Sequence, residues 1–381
     1  MFINFWYAVE WSEQLTDTPV KARMLGHDFV VFRDSAGIAR CLSDTCVHRG
    51  GSLSGGKLMG DRVQCPYHGW QFDGEGVCQR IPSLGATAKV PARAKVDAYP
   101  TQEKYGIVFA FLGDLPADQR PPLMEIPEYG QPGWHATTQE RRSGDDYRRQ
   151  VENALDPAHN EFVHPTHGFS GSREDYHVPE LQLEEDQWSS GFLTKYFAPP
   201  LKDEKMKSAS GRSEDAVIEA GSLHHGPTSI CTKIHPTAEV FIHQHVFKTP
   251  VDELGTRTFL VQTRNFMLES EHDDRFRERN DVVAGQDADV LAELHPPLTP
   301  ETNQHEFLLP SDAAVLRYRE KLDEWQALGW RLDADALART GKSVAYAIPS
   351  PARQQRPAGW VLDSAPLLAA TATSATATGT K

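Results

Sequence analysis

Cys46-Val47-His48-Arg49-Gly50-Gly51, followed after a spacer of sixteen residues by Cys65-Pro66-Tyr67-His68-Gly69-Trp70, is the part of the chain that decides its fold. Two thiols and two imidazoles on two short loops are the donor set of a mixed-ligand two-iron, two-sulfur centre. The thiolates hold one iron and the imidazoles the other, and neutral imidazole in place of thiolate raises the reduction potential. The glycines leave room for backbone N–H groups to approach the sulfides without a Cβ in the way. Structural zinc also accepts two Cys and two His. Zinc-finger spacings, however, group Cys with Cys and His with His, whereas here the two types alternate.

The pattern Cys-x-His, a spacer of this length, then Cys-x-x-His resembles that of the Rieske family. Around it, residues 24–112 read as short strands broken by turn signals. Examples are Asp28–Arg33, Arg62–Cys65, Gly69–Phe72 before Asp73-Gly74, and Gly106–Leu112 before Gly113-Asp114. That is a small all-β module, residues 1–115, with the two cysteine-histidine loops at its tips. A Pro-rich connector from Leu115 to Pro132 marks a boundary. Residues 116–365 then read as a mixed domain. Its strand candidates are Phe192–Phe197, Glu239–Lys248 and Thr256–Met267, and its helix candidates Tyr147–Val163, Glu271–Leu294 and Asp312–Leu328. Residues 366–381 are expected to be a disordered tail, because Ala369 to Thr380 is almost entirely Ala and Thr, without apolar periodicity or charge.

A chain of 381 residues with 53 acidic and 39 basic side chains carries −14, which argues against a nucleic-acid or anionic-membrane surface. Residues 40–115 hold nine basic and seven acidic residues, so a small acidic electron donor is a reasonable partner there. Of five cysteines, Cys41, Cys78 and Cys231 remain once Cys46 and Cys65 are set aside; that odd number fits a reducing compartment. Met1 to Trp6 lacks the basic flank and apolar core of a signal peptide, and the longest apolar runs, such as Ile107 to Leu112, are strand-sized. The expectation is a soluble, cytoplasmic protein.

A second dense constellation runs from Glu152 to His164. At helical spacing Glu152, Asp156 and His159 share a face, and Pro157 with the five-residue step to His164 implies an irregular turn that swings His164 back toward His159. Two imidazoles and one carboxylate on one side of an iron, the other positions open, is the set used by non-haem Fe(II) oxygenases. Asp-Pro also opens helices as a cap, so the segment alone does not settle its use. In Glu271–Leu294 the apolar positions Phe276, Val283, Val290 and Leu294 define a stripe, and Asp287 sits within it. A carboxylate there needs a cation or donors. Asp281 and Asp289 compete from other faces.

Asn153, Asp156, His159 and His164 resemble the Asn-x-x-Asp-x-x-His-x-x-x-x-His pattern of Rieske non-haem iron oxygenases. Gln286-Asp287-Ala288-Asp289-Val290 resembles the context of that family's last iron ligand, with Gln286 replacing the usual acidic neighbour. The resemblance implies an α+β chain, with an N-terminal Rieske domain and a catalytic helix-grip domain in which an antiparallel sheet wraps around helices. It implies a [2Fe-2S] cluster on Cys46, His48, Cys65 and His68, and a mononuclear Fe(II) on His159, His164 and Asp287. It places Asp156 between His159 and His68 of the partner subunit, hence a homotrimer; a plain helix cap is the other reading of Asp156. It also implies electrons from a NAD(P)H-dependent reductase or ferredoxin, O2, and a small-molecule substrate. Length and pattern look more like the monooxygenases that O- or N-demethylate aromatic substrates. Ring cis-dihydroxylation is the alternative, and a pure electron carrier the alternative from another class. The region after Leu294 departs from the compact demethylases.

His243 and His245 share a strand face with Phe241 and Phe247, either lining the substrate cavity or resting as satisfied core or rim residues. His224-His225 before Gly226-Pro227 reads as a loop. Arg141-Arg142 and Arg148-Arg149 read as solvated charge pairs.

Overall fold

The computed structural model describes residues 1–199, 204, 207–208 and 216–371. The chain forms two compact units, Met1–Leu123 with the residues from Asp323 onward, and Met124–Leu322.

The first unit is built from small antiparallel sheets. Val20–Met24, His27–Arg33, Ala39–Ser43 and Ala98–Tyr99 form one; Lys57–Leu58, Arg62–Gln64, Gln71–Asp73 and Cys78–Arg80 form another. A third places Ile107–Leu112 between Phe5–Trp11 and Thr101–Lys104. Every residue of Ile107–Leu112 is buried, as its unbroken apolar run requires. Between the cluster loops lies a core of Val30, Phe32, Leu42, Leu53, Val63 and Phe72 that also buries Cys46 and Cys65.

The C-terminal stretch corrects the boundary expected at 365. Residues after Asp323 pack on the N-terminal strands: the Phe5 ring lies 4.8 Å from Trp325 and 5.7 Å from Trp330. The Ile3 N–H donates to the Trp330 carbonyl at 2.8 Å. Asp97, fully buried, receives two 2.7 Å hydrogen bonds from Arg353 and one from Ser350. The first residues of the expected tail pair with this unit. Leu367 bridges Leu332, and the N–H groups of Leu368 and Thr371 donate to Arg331 and Ala327. The rest of that tail, 372–381, lies outside the described residues.

The second unit carries an eight-stranded antiparallel sheet. Its order is His135–Ser143, Thr256–Arg264, Ile242–Pro250, Ser229–His235, Ala216–His225, then Ser189–Phe192 and Leu183–Glu185, with Thr194–Ala198 also pairing to Ala216–His225. The expected strand Phe192–Phe197 is thus two strands. His224-His225 closes a ten-residue strand rather than forming a loop, and Gly226, with φ +59°, turns the chain into its neighbour. That strand escapes sequence reading because Gly221 interrupts its pattern; a Cβ there would meet the Phe192 carbonyl oxygen at 2.0 Å.

Three helices matter for function: α1 (Tyr147–Leu155), α2 (Asn160–Val163) and α3 (Asp273–Leu291). The single helix expected over Tyr147–Val163 breaks after Leu155, because Pro157 disfavours helical backbone at Asp156 and lacks the N–H that would bond back. Asp146 caps α1, its Oδ1 accepting from the Arg148 N–H at 3.0 Å. Arg149 is not a solvated charge: it is buried and paired with Glu306 at 2.7 Å. Val290, expected on the buried stripe of α3, is 46% exposed.

Candidate functional site

The two cysteine-histidine loops have matching backbones. Gly50 N–H donates to the Cys46 carbonyl at 2.9 Å, and Gly69 N–H to that of Cys65 at 3.0 Å. Cys46 N–H returns to Gly51 O at 2.8 Å and Cys65 N–H to Trp70 O at 2.7 Å. Gly50 and Gly69 both have φ +72°, a conformation that a side chain would strain. Each loop thereby buries its cysteine and presents its histidine outward. The Nδ1 atoms of His48 and His68 converge to 3.1 Å, and the His48 ring stacks on Trp70 at 4.7 Å. Burial, with Cys65 and Cys78 nearby, pushes the Cys46 thiol up to about 12. Only a strong cation would hold it as thiolate. A Cβ on Gly51 would lie 2.9 Å from Cys65 Sγ, so the cradle is shaped around sulfur. The donor set and this cradle fit the mixed-ligand cluster.

In the second unit, the two ends of α2 and the C-terminal part of α3 bring His159, His164 and Asp287 together, their ligand atoms all within 4.8 Å of one another. The two Nε2 atoms are 3.2 Å apart, and Asp287 Oδ1 is 3.7 Å from His159 Nε2 and 3.3 Å from His164 Nε2. His159 Nδ1 donates to the Asp156 main-chain carbonyl at 2.5 Å, and His164 Nδ1 to Gln286 Oε1 at 3.0 Å. Both protons are therefore on Nδ1, both Nε2 lone pairs point inward, and Asp287 Oδ1 is buried without a hydrogen bond. Three such acceptors facing one another need a cation, so the residues fit a divalent metal. Burial lowers the His159 pKa, which keeps that ring neutral. Burial disfavours the ionised Asp287 carboxyl, and a hydrogen bond from the Asn153 side chain favours it.

Several sequence expectations are redirected here. Asp156 touches His159 through its main-chain carbonyl; its carboxylate Oδ2 stands 3.9 Å from Nδ1, and Oδ1 accepts the Ala158 N–H. The broken helix end leaves the Asp156 carbonyl open to the His159 ring. Glu152 lies apart from the triad, taken up by Arg319 at 2.8 and 2.9 Å. Asp281 and Asp289 are exposed. Gln286 is the residue whose role was missed: its position showed only as a departure from a pattern, and its contact with His164 joins segments 122 residues apart.

The triad opens onto a cavity of about 350 Å3 between the sheet and α3. Phe169, Phe192, Ile230, Ile242, Leu260 and Phe276 supply much of its apolar wall, and Gln139, Gln244, Gln262 and Asn280 a band of amides. Lys248 enters from the sheet, donating to Gln150 Oε1 at 2.8 Å, and burial lowers its pKa to about 8. His243 and His245 do not line this cavity. Ile242, Gln244, Val246 and Lys248 do, so strand alternation puts the histidines on the opposite face.

Comparison with known proteins agrees with this geometry. Residues 5–100 match the Rieske [2Fe-2S] domain, and residues 145–328 the vanillate O-demethylase oxygenase C-terminal domain. The chain belongs to the Rieske terminal oxygenases, a family that uses a [2Fe-2S] cluster and a mononuclear non-haem iron. Methylxanthine N1-demethylase NdmA of Pseudomonas putida is 26% identical over 84% of this chain and 88% of its own. The chloroplastic chlorophyllide a oxygenase of Chlamydomonas reinhardtii is 29% identical over 83% of this chain but 47% of its own. The chain spans between 31% and 53% of the length of four such curated relatives. Dicamba monooxygenase bound to 3,6-dichlorosalicylic acid shares the fold, with a TM-score of 0.72 at 21% identity over 85% of this chain and 97% of that one. No described helix is long and apolar enough to cross a membrane.

Proposed function

We propose that this chain is an oxygenase component that uses O2 and electrons from an NAD(P)H-dependent reductase or ferredoxin to hydroxylate a small aromatic or similar organic substrate, with O- or N-demethylation as the outcome. The observation that carries the reading is the buried, unpaired Asp287 Oδ1 facing two imidazole lone pairs on the wall of an apolar cavity. His159, His164 and Asp287 would hold the mononuclear iron, and Cys46, His48, Cys65 and His68 the cluster. When bound, the iron supplies O2 activation and the cluster supplies electrons one at a time.

The protein's own part is positional. Asp156 O and Gln286 Oε1 fix the two imidazole tautomers, so neither ring can turn its lone pair away. Asn153 steadies the Asp287 carboxylate. The apolar wall excludes water and places a substrate methyl group near the triad. Hydroxylation of a methyl group on oxygen or nitrogen gives a hemiacetal or hemiaminal, which collapses to formaldehyde and the demethylated product. The demethylase and monooxygenase relatives support this over ring cis-dihydroxylation. Family likeness further supports a homotrimer in which Asp156 serves the partner subunit's cluster.

The test is iron and acid-labile sulfide per chain on anaerobically purified protein, alone and as Asp287→Ala. The expected result is about three irons and two sulfides with a red-brown colour, falling to about two irons in the variant with sulfide unchanged. Turnover with an added reductase should then release formaldehyde from methoxy- or N-methyl-aromatic substrates. Two irons in both proteins would leave an electron carrier, and zinc without sulfide would overturn the reading altogether.

A further inference from the structure

The sheet face turned away from the cavity carries a histidine pair that the oxygenase reading leaves without a role. Ile230, Thr232 and Ile234 face the cavity from one strand and Ile242, Gln244 and Val246 from the next, so His235 and His243 lie together on the opposite face. His235 Nδ1 lies 2.9 Å from Glu219 Oε2, and His243 Nδ1 lies 2.8 Å from Glu128 Oε1. A carboxylate oxygen only accepts, so both Nδ1 atoms donate and both Nε2 atoms are turned inward. Those two Nε2 atoms face each other at 3.0 Å.

Two imidazole nitrogens at that distance need a positive charge between them, either a shared proton or a metal ion. Two nitrogens about 2.1 Å from one tetrahedral ion are about 3.4 Å apart, so the pair needs to open by only a few tenths of an ångström to hold one. His159 and His164 show the same arrangement: Nε2 atoms 3.2 Å apart, with each Nδ1 donating to an oxygen behind it. Carboxylates behind metal-bound imidazoles are the usual means of raising ligand basicity. Trp134, 5.3 Å from the His243 ring, and Phe241, 4.7 Å from that of His235, wall the pair. The His235 side chain keeps 16% of its surface exposed, which admits water as further ligand. Glu128 Oε2 and His245 Nδ1 beside it are buried without a hydrogen bond.

We propose that His235 and His243 form an additional site for an imidazole-preferring divalent ion of the zinc type, held by their Nε2 atoms, oriented by Glu219 and Glu128, and completed by water. Two carboxylates behind two imidazoles suit a doubly charged cation better than the single proton that would otherwise be shared. The ion ties the connector that carries Glu128 to the strands Ser229–His235 and Ile242–Pro250.

Untagged protein with cluster and iron in place is incubated with excess zinc chloride and desalted, and zinc, iron and sulfide are counted by elemental analysis. Wild type should retain about one zinc per chain beyond its full iron complement. His235→Gln and His243→Gln should lose that zinc about tenfold or more, with iron and sulfide unchanged. Zinc should raise the melting temperature of wild type and not of either variant. No retained zinc, or equal retention in wild type and variants, overturns the site and assigns the pair to a shared proton. If His243→Gln fails to hold its cluster, the more exposed His235→Gln decides alone. None of these readouts depends on turnover, so failure here leaves the oxygenase reading untouched.

Discussion

His164 turns its Nε2 toward Asp287 because its Nδ1 proton is already committed to Gln286, 3.0 Å away, which also accepts from Thr166 Oγ1 at 3.1 Å. An amide oxygen is a weaker acceptor than a carboxylate, so Gln286 orients the ring while leaving it less basic than an acidic neighbour would. Gln286→Leu should lower affinity for Fe(II) or its surrogate Co(II) about tenfold to a hundredfold, read by anaerobic titration, and Gln286→Glu should preserve or strengthen it. Unchanged affinity in the leucine variant would remove Gln286 from the site. The histidines stand out by residue type and spacing, and Asp287 through the resemblance of its surroundings to the family's last ligand. Gln286 could not, since its contact belongs to no local pattern.

At the scale of elements, each half of the chemistry depends on a break in regular structure. The knuckles at Cys46 and Cys65 close through left-handed glycines, and the α1–α2 break frees the Asp156 carbonyl for His159. Gly51→Ala tests the first: its Cβ would lie 2.9 Å from Cys65 Sγ and 3.3 Å from Tyr67 Cβ. We expect less sulfide per chain and faster bleaching of the visible spectrum, with far-ultraviolet circular dichroism largely retained; full cluster content would show that the loop has slack. The hairpin of Ala216–His225 and Ser229–His235 buries His224, which bonds to Ser190 Oγ at 2.8 Å and Gly226 O at 3.0 Å. Burial lowers its pKa to about 4. The unfolded chain binds this proton below about pH 6.5 while the native ring refuses it, so stability present at neutral pH is lost as pH falls toward 4, by about 2 kcal/mol at pH 5. The drop in melting temperature from pH 7 to pH 5 should shrink in His224→Gln; an identical drop would assign the acid sensitivity elsewhere.

Across the whole molecule, the first unit is assembled from both ends of the chain. Arg353 reaches Asp97 across 256 residues and makes two 2.7 Å bonds to a carboxylate with no solvent exposure. Removing the cation strands a buried charge, which costs about 3–5 kcal/mol. Arg353→Met should therefore lower the melting temperature and speed heat-induced cluster loss, although it lies 288 positions from Cys65 and 307 from Cys46 in sequence. A variant as stable as wild type would mean that Ser350 alone satisfies Asp97.

Sequence alone determined what is local. The cluster loops announce themselves because their ligands lie within a few residues of one another, and the strands Asp28–Arg33 and Gly106–Leu112 because alternation or an apolar run outweighs other signals. Tertiary structure decided what depends on residues far apart: the return of the C-terminal stretch to the N-terminal strands, the orientation of Asp156, and the face on which His243 lies. Those depend on pairing partners and register, and a one-residue change in register exchanges the faces of a strand without altering its sequence.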